Sequence, residues 1–427
     1  LQDKFVHGIS DGFSKGKKNF RFVDSKQFYS YFRTDILITM ERLIRIVLAG
    51  VFLVLSSCKD SNPQEPDQIQ PETPSWKTFS KGVDLSYVNE IEDFGGVYSE
   101  SGEVRNPFRI FHDHGANTVR VRLWHNPQWV GELTGGALYS DLADVEKTIT
   151  RAKALGMAVN LDIHYSDTWA DPSHQETPEA WNGLALETLC DSVYNYTLAV
   201  LQHLAMKGLT PEMVQIGNET NSGMLYPVGK VENDNWIPFG TLLNAGIKAV
   251  RDFSVNAKIK PLIILHVAQF QNSRWWIDQV IHAGKVTDFD ILGISHYAKW
   301  STISQLSQIT AITREIRTSF GKRVMVVETA CPWTGEDADQ YPNIFGPSDS
   351  IAGYPLTPEG QMNYLNALTR AVLDGGATGC MYWEPAWITS SMKDNWGTGS
   401  AWDNCSLFDF QGRTLISIEY LQMPASF

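Results

Sequence analysis

The chain is predicted to be an α/β protein, a (β/α)8 TIM barrel with a single catalytic domain, and three observations carry that expectation. A helical run, a Gly or polar turn, and then four to seven apolar or β-branched residues recur as a unit eight times in about 350 residues. Three helical runs, in "FHDHGANTV", "AKALGMAV" and "VLDGGATG", carry Gly where a helix C-terminus takes a left-handed residue. Most apolar runs end in polar residues, among them the acids Glu219 in "MVQIGNETNSG" and Glu328 in "VMVVETACPW". A parallel barrel gathers all strand ends at one face, so two carboxylates about a hundred residues apart meet there. A doubly wound open sheet is the rival, but no G-x-G-x-x-G follows the first strand.

Taken in order, residues 1–39 show no sustained period of helix or strand and are expected to be absent from the mature protein. Residues 40–58, "MERLIRIVLAGVFLVLSSC", have Arg42 and Arg45 ahead of a short apolar run and small residues before Cys58. That is the layout of a secretory signal rather than a membrane span, which needs about 20 apolar residues. Its last four residues resemble a lipobox, making Cys58 the expected lipidation site of an exported bacterial lipoprotein at the outer membrane, with Lys59-Asp60 similar to a surface-export signal. Residues 59–75 are Pro-rich and polar, too poor in apolar side chains to fold, and read as a flexible linker. The barrel domain is expected over residues 76–427.

The formal charge is −13, and removing residues 1–58 takes away 9 Lys/Arg and 5 Asp/Glu, which leaves −17. No basic block stands out, so nucleic acid is excluded as a partner while uncharged polymers remain. The 14 Trp and 15 Tyr suit a large core, and they equally suit a carbohydrate cleft, where flat rings stack on sugar faces.

Strands are expected around Ser80 to Leu85, Asn117 to Trp124, Ala158 to His164, Val214 to Glu219, Leu262 to Val267, Ile291 to Tyr297, Val324 to Glu328 and Gly379 to Glu384. The second alternates Arg120 and Arg122 with Val119, Val121 and Leu123, and the third alternates Asn160, Asp162 and His164 with Val159, Leu161 and Ile163. With the apolar residues facing helices, these polar ones point into the barrel. Charges buried at that density need partners. Arg120 is read as a structural core residue, and Arg122, nearer the top, as part of a site. Paired carboxylates at strand ends suit glycosidic hydrolysis, one as acid/base and one as nucleophile.

A metal is also suggested. "EDADQYPN" offers Asp337, Asp339 and Asn343 at alternating spacing after strand seven, and "SAWD" offers Ser400 and Asp403 after strand eight. Hard oxygen ligands from flexible loops suit Ca²⁺, and a solvated acidic loop is the plainer reading. Beyond Cys58, the four cysteines Cys190, Cys331, Cys380 and Cys405 allow three full pairings, with the levels of Cys331 and Cys380 weighing against that pair.

The stretches "FSKGVDLSYV", "GANTVRVRLWHNP", "LDIHYSDTWADP", "VQIGNETNSGML", "VMVVETACPWT" and "MYWEPAWI" together resemble the endo-β-1,4-galactanases of glycoside hydrolase family 53, within the large clan of retaining (β/α)8 glycosidases. The likeness spans nearly everything from Phe79 onward. It implies retention of anomeric configuration, with Glu219 as acid/base and Glu328 as nucleophile. It further implies Arg122 and Tyr297 beside the nucleophile, Asn218 toward a sugar 2-hydroxyl and Trp383 as a subsite floor. Asp84, Trp124, His164, Asp167, Trp169, His296 and Trp387 become cleft candidates, although any of the Trp residues also suits a core. Bacterial members bind calcium through a D-x-D-x-H-x-N pattern. Here Tyr341 stands at the His position, so its carbonyl or phenol would have to supply that ligand.

The resulting expectation is a monomeric, lipid-anchored enzyme that cuts β-1,4-galactan and galacto-oligosaccharides, the side chains of pectin, without an organic cofactor. The competing expectations are a non-catalytic surface glycan-binding lipoprotein and a retaining mannanase or glucanase of the same clan. A metal-dependent barrel hydrolase would want a His-x-His pair ending an early strand, and none of the expected strands ends in one.

Overall fold

The computed structural model describes residues 79–424. The expected signal peptide, Cys58 and the expected linker lie outside the described residues. Eight strands close into a barrel: β1 (Ser80–Asp84), β2 (Thr118–Leu123), β3 (Ala158–Ile163), β4 (Met213–Ile216), β5 (Leu262–Ala268), β6 (Ile291–His296), β7 (Arg323–Thr329) and β8 (Gly379–Tyr382). Neighbours in sequence are neighbours in the sheet, all parallel, and β1 pairs with both β2 and β8 to complete the ring. Every expected strand is present. The glycines that marked helix ends, Gly115, Gly156 and Gly376, all take positive φ, the conformation that costs other residues most.

Two of the expected strands stop short of their acids. β4 leaves the ladder at Ile216 and β8 at Tyr382, and Glu219 and Glu384 follow at φ of 45° and 47°. Few non-glycine residues occupy that region, and those held there cluster at functional sites.

Strand alternation sorts the barrel into layers. Val119, Val121 and Leu123 of β2, and Val159, Leu161 and Ile163 of β3, join the main core around the sheet. A separate apolar cluster of Met213, Ile264, Ile291, Met325, Val327 and Met381 is made of residues from β4 to β8. The buried polar side chains of β2 and β3 occupy the alternate positions. Between β6 and β7 the register slips: Ile294 pairs with Val326, but Ser295 pairs with Glu328. Val327 is therefore an extra residue on β7, a bulge of the kind that re-aims a side chain beside a site. Without it, strict alternation from Met325 and Val327 would turn Glu328 away from their face. The four cysteines Cys190, Cys331, Cys380 and Cys405 are all free.

Candidate active site

At the strand ends a buried ion network forms around Arg120. Its Nη1 donates to Asp84 Oδ2 at 2.7 Å, and its Nη2 reaches Asp162 Oδ2 at 2.7 Å, Asn218 Oδ1 at 2.9 Å and Glu328 Oε1 at 2.8 Å. A lone buried guanidinium would be costly, and here three carboxylates surround it. Glu328 is thus gripped on one oxygen by Arg120, while Tyr297 donates its hydroxyl to the other at 2.8 Å.

Glu219 lies on the same cleft in a different setting. Burial, followed by the charge of Glu328, pushes its carboxyl up to about 8, against a smaller lowering by the Ser295 hydroxyl and Arg120. Burial raises Glu328 too, but Arg120 and Tyr297 pull against it and hold it at about 6. Near neutral pH the pair is therefore one carboxylate and one carboxylic acid, the combination that acid-assisted nucleophilic displacement needs.

The two arginines exchange the parts expected of them. Arg120, read from the sequence as structural, is the one against Glu328. Arg122, expected there, stacks on Tyr87, Trp124 and Trp169 at 4.1 to 4.5 Å and reaches Glu384 Oε1 at 3.3 Å. Those rings and that carboxyl draw its arm sideways. Arg122 still lines the cleft, with His164, Trp169, Asn218, Tyr297, Trp383 and Trp387 of the expected residues. Asp84, Trp124, Asp167 and His296 do not line it. Asp84 anchors Arg120, Trp124 lies against Arg122, and Asp167 accepts the Glu179 amide at 2.8 Å. His296 packs on Phe270, and burial brings its ring down to about 4.

The cleft has a volume of about 930 Å³. Its walls include Trp300 and Trp396, which are 47% and 64% exposed and were not singled out from sequence. Nothing in sequence distinguishes a cleft Trp from a core Trp, so only exposure finds them. Glu384 was also missed as a partner, though it ends a strand segment as the other two acids do.

The six candidate metal residues lie on loops that meet. Asn343 Nδ2 donates to Asp337 Oδ1 and to Asp403 Oδ1, both at 2.7 Å. The Thr389 hydroxyl lies 2.6 Å from Asp339 Oδ2 and 2.8 Å from Asp403 Oδ2, so one hydrogen serves two carboxylates. Asn343 Oδ1 is buried without a partner. Backbone amides also donate to each carboxylate, Asn343 to Asp337 at 3.1 Å, Tyr341 to Asp339 at 2.6 Å and Ala338 to Asp403 at 3.2 Å; three carboxylates beside an orphan amide oxygen still fit a hard cation in chemistry. Two candidates are committed elsewhere: the Tyr341 phenol donates to Asp394 at 2.8 Å and the Ser400 hydroxyl to the Trp387 carbonyl at 2.8 Å. Among the described residues no group of three or more His, Cys, Asp or Glu is arranged to hold a metal ion without rearrangement.

The sequence model of Glycosyl hydrolase family 53 matches residues 80–421. An arabinogalactan endo-beta-1,4-galactanase of Cellvibrio japonicus (strain Ueda107) is 43% identical over 334 residues, covering 78% of this chain and 86% of its own. An endo-beta-1,4-galactanase of Bacillus subtilis (strain 168) is 32% identical over 388 residues, covering 82% and 87%. Among solved structures, the Ignisphaera aggregans GH53 catalytic domain superposes with a TM-score of 0.74 at 35% identity, covering 82% of this chain and 98% of that one. A structure from a study of two fungal beta-1,4-galactanases gives 0.68 at 31% identity, covering 81% and 100%.

Proposed function

The chain belongs to glycosyl hydrolase family 53 and is a glycoside hydrolase, and from that premise we propose that it is an endo-β-1,4-galactanase working by retaining double displacement. The observation that carries this reading is the contrast between the two carboxyls: Glu328 held by Arg120 and Tyr297, each at 2.8 Å, and Glu219 raised by burial to about 8. Glu328 attacks the anomeric carbon while Glu219 gives its proton to the departing glycosidic oxygen. Glu219, now ionised, takes a proton from the water that cleaves the glycosyl ester, and the configuration is retained. Asn218 faces the sugar 2-hydroxyl, and Trp383 forms the floor beneath the ring. The names of the relatives support galactan as the polymer. An endo mode of attack is supported by exposed rings along the cleft wall, Trp300 and Trp396.

Linear β-1,4-galactan, mannan and cellulose offered to the domain from Trp76 onward test the reading. Cleavage of galactan alone by the wild type, with none by a Glu219→Gln, Glu328→Gln double variant, is the expected result. Cutting of mannan or cellulose in preference, or binding of galactan without cleavage, overturns it.

Two further features belong to this reading. Ca²⁺ would be held by Asp337, Asp339, Asp403 and Asn343 Oδ1, with Tyr341 contributing its carbonyl rather than its phenol; its part is structural, joining two loops of the cleft wall. Cys58 would carry a lipid that tethers the enzyme to the outer membrane. Labelled palmitate should enter the full-length protein and be lost in Cys58→Ala; equal labelling of both would remove the anchor.

A further inference from the structure

His266, on β5, is fully buried, and the reaction described above gives it no part. Its polar contacts converge on the segment that carries the acid/base, with one more to Ser295 of β6. The Glu219 amide N–H points at its Nδ1, 3.1 Å away, which makes that nitrogen an acceptor and leaves the ring proton on Nε2. Nε2 lies 2.7 Å from Ser295 Oγ. Gln215 Nε2, 3.0 Å from Nδ1 and 3.2 Å from Asn218 Oδ1, donates between the two, which themselves lie 2.9 Å apart. The His266 carbonyl accepts both the Thr220 amide at 3.0 Å and the Thr220 hydroxyl at 2.9 Å. The Ser295 hydroxyl, fed by Nε2–H, is also near enough to the Glu219 carboxyl to favour its charged form. One imidazole thus touches the backbone of Glu219 directly and its carboxyl through a single hydroxyl.

That arrangement answers a local need. Glu219 sits at φ 45°, a conformation a non-glycine residue keeps only when its surroundings hold it. Burial, with Arg120 nearby, lowers the ring well below the usual histidine range, so it remains neutral and brings a fixed dipole rather than a charge. The charged or titratable groups that face Glu219 come from other elements: Glu328 of β7, Asp171 after β3, Arg120 of β2 and Tyr297 after β6.

We propose that His266 and Ser295 are positioning residues of the acid/base: the imidazole fixes the left-handed turn that carries Glu219, and through the Ser295 hydroxyl it donates to the Glu219 carboxylate. The pair thereby tunes how firmly Glu219 holds the proton it must first give and then retrieve. This rests on the assignment of Glu219 as acid/base.

The experiment compares wild type, Ser295→Ala, His266→Gln, His266→Leu and Glu219→Gln, each shown folded by circular dichroism, on two substrates. One is linear β-1,4-galactan. The other is a dinitrophenyl β-galactobioside, whose leaving group departs without an acid, read as kcat/KM for aryl release. Ser295→Ala removes a donor to the charged form, so the alkaline limb of kcat/KM on galactan should move up by about one pH unit. Activity on galactan should fall about tenfold, with aryl release changed less than about twofold. His266→Leu should do the same with a larger loss, and His266→Gln, which keeps a donor and an acceptor, should recover part of it. Equal losses on both substrates with an unmoved pH limb would show packing alone and overturn the proposal. Equal losses in Glu219→Gln would remove the acid/base assignment, and this inference with it.

Discussion

Glu219 and Glu328 are the same functional group made different by neighbours, and the difference fixes the sign of the pH dependence. If Glu328 is the nucleophile, as proposed, it must be ionised to attack, so activity should rise as pH passes about 6. If Glu219 is the acid, it must be protonated to assist departure, so activity should fall beyond about 8. Tyr297→Phe removes the hydroxyl that favours the Glu328 carboxylate. Its acidic limb should therefore move to higher pH, with turnover down about 10- to 100-fold; an unmoved acidic limb would detach Tyr297 from Glu328. Both acids were legible from sequence because each closes an apolar run. The arginine between them was not. Alternation correctly sends Arg120 and Arg122 inward, but which one meets Glu328 depends on side-chain reach and on the pull of Tyr87, Trp124 and Trp169, which come from three separate segments. The inward aim of Glu328 was equally hidden, since it needs the extra residue Val327, and a bulge leaves no mark on the pattern of side-chain types.

Among elements, the strands were easy to read and their surroundings were not. Parallel strands covered on both faces are continuous apolar runs, so existence and order follow from composition. How closely the helices approach is set by small residues whose role shows only in contact. In the helix Ile237–Ser254, a Cβ on Gly240 would lie 1.9 Å from the Gly284 carbonyl oxygen. Ala is the better helix former by about 1 kcal/mol, but the opposing atom is backbone and has nowhere to yield. Gly240→Ala should therefore lower stability by about 1–3 kcal/mol in denaturant unfolding, and a gain would show that the two segments separate freely. The loops after β7 and β8 pose the converse case. Their spacing of Asp337, Asp339, Asn343 and Asp403 was visible, while the diversion of the Tyr341 phenol and the Ser400 hydroxyl was not. If calcium joins these loops, its removal should loosen them without touching Glu219 or Glu328. Chelation should lower the melting temperature by about 5 °C with little change in initial rate, and Asp403→Asn should abolish the response. A melting temperature indifferent to chelator would count against the ion.

For the molecule as a whole, the uneven charge bears on which substrate it meets and not on the chemistry. The chain as a whole carries a formal charge of −13, while galactan, the polymer proposed for its cleft, is neutral. Free galactan carries no charge, so neither steering nor repulsion acts on it. Galactan still attached to a backbone of uronic acids is different, because the backbone and the enzyme repel each other over a Debye length of about 30 Å at 10 mM salt and about 3 Å at 1 M. The encounter, not the cutting, should then depend on ionic strength. We expect kcat/KM on free linear galactan to stay level from about 10 mM to 500 mM salt, while the value on backbone-linked galactan rises several-fold over the same range and kcat stays constant for both. The neutral polymer is the internal control, since a salt effect on the protein itself would move both curves. A rise of equal size on the two substrates would mean that salt acts on the fold or on the loop ions, and net charge would then have no part in substrate choice. A rise confined to the charged polymer would mean that the enzyme's acidic surface biases it toward galactan chains that stand clear of their backbone.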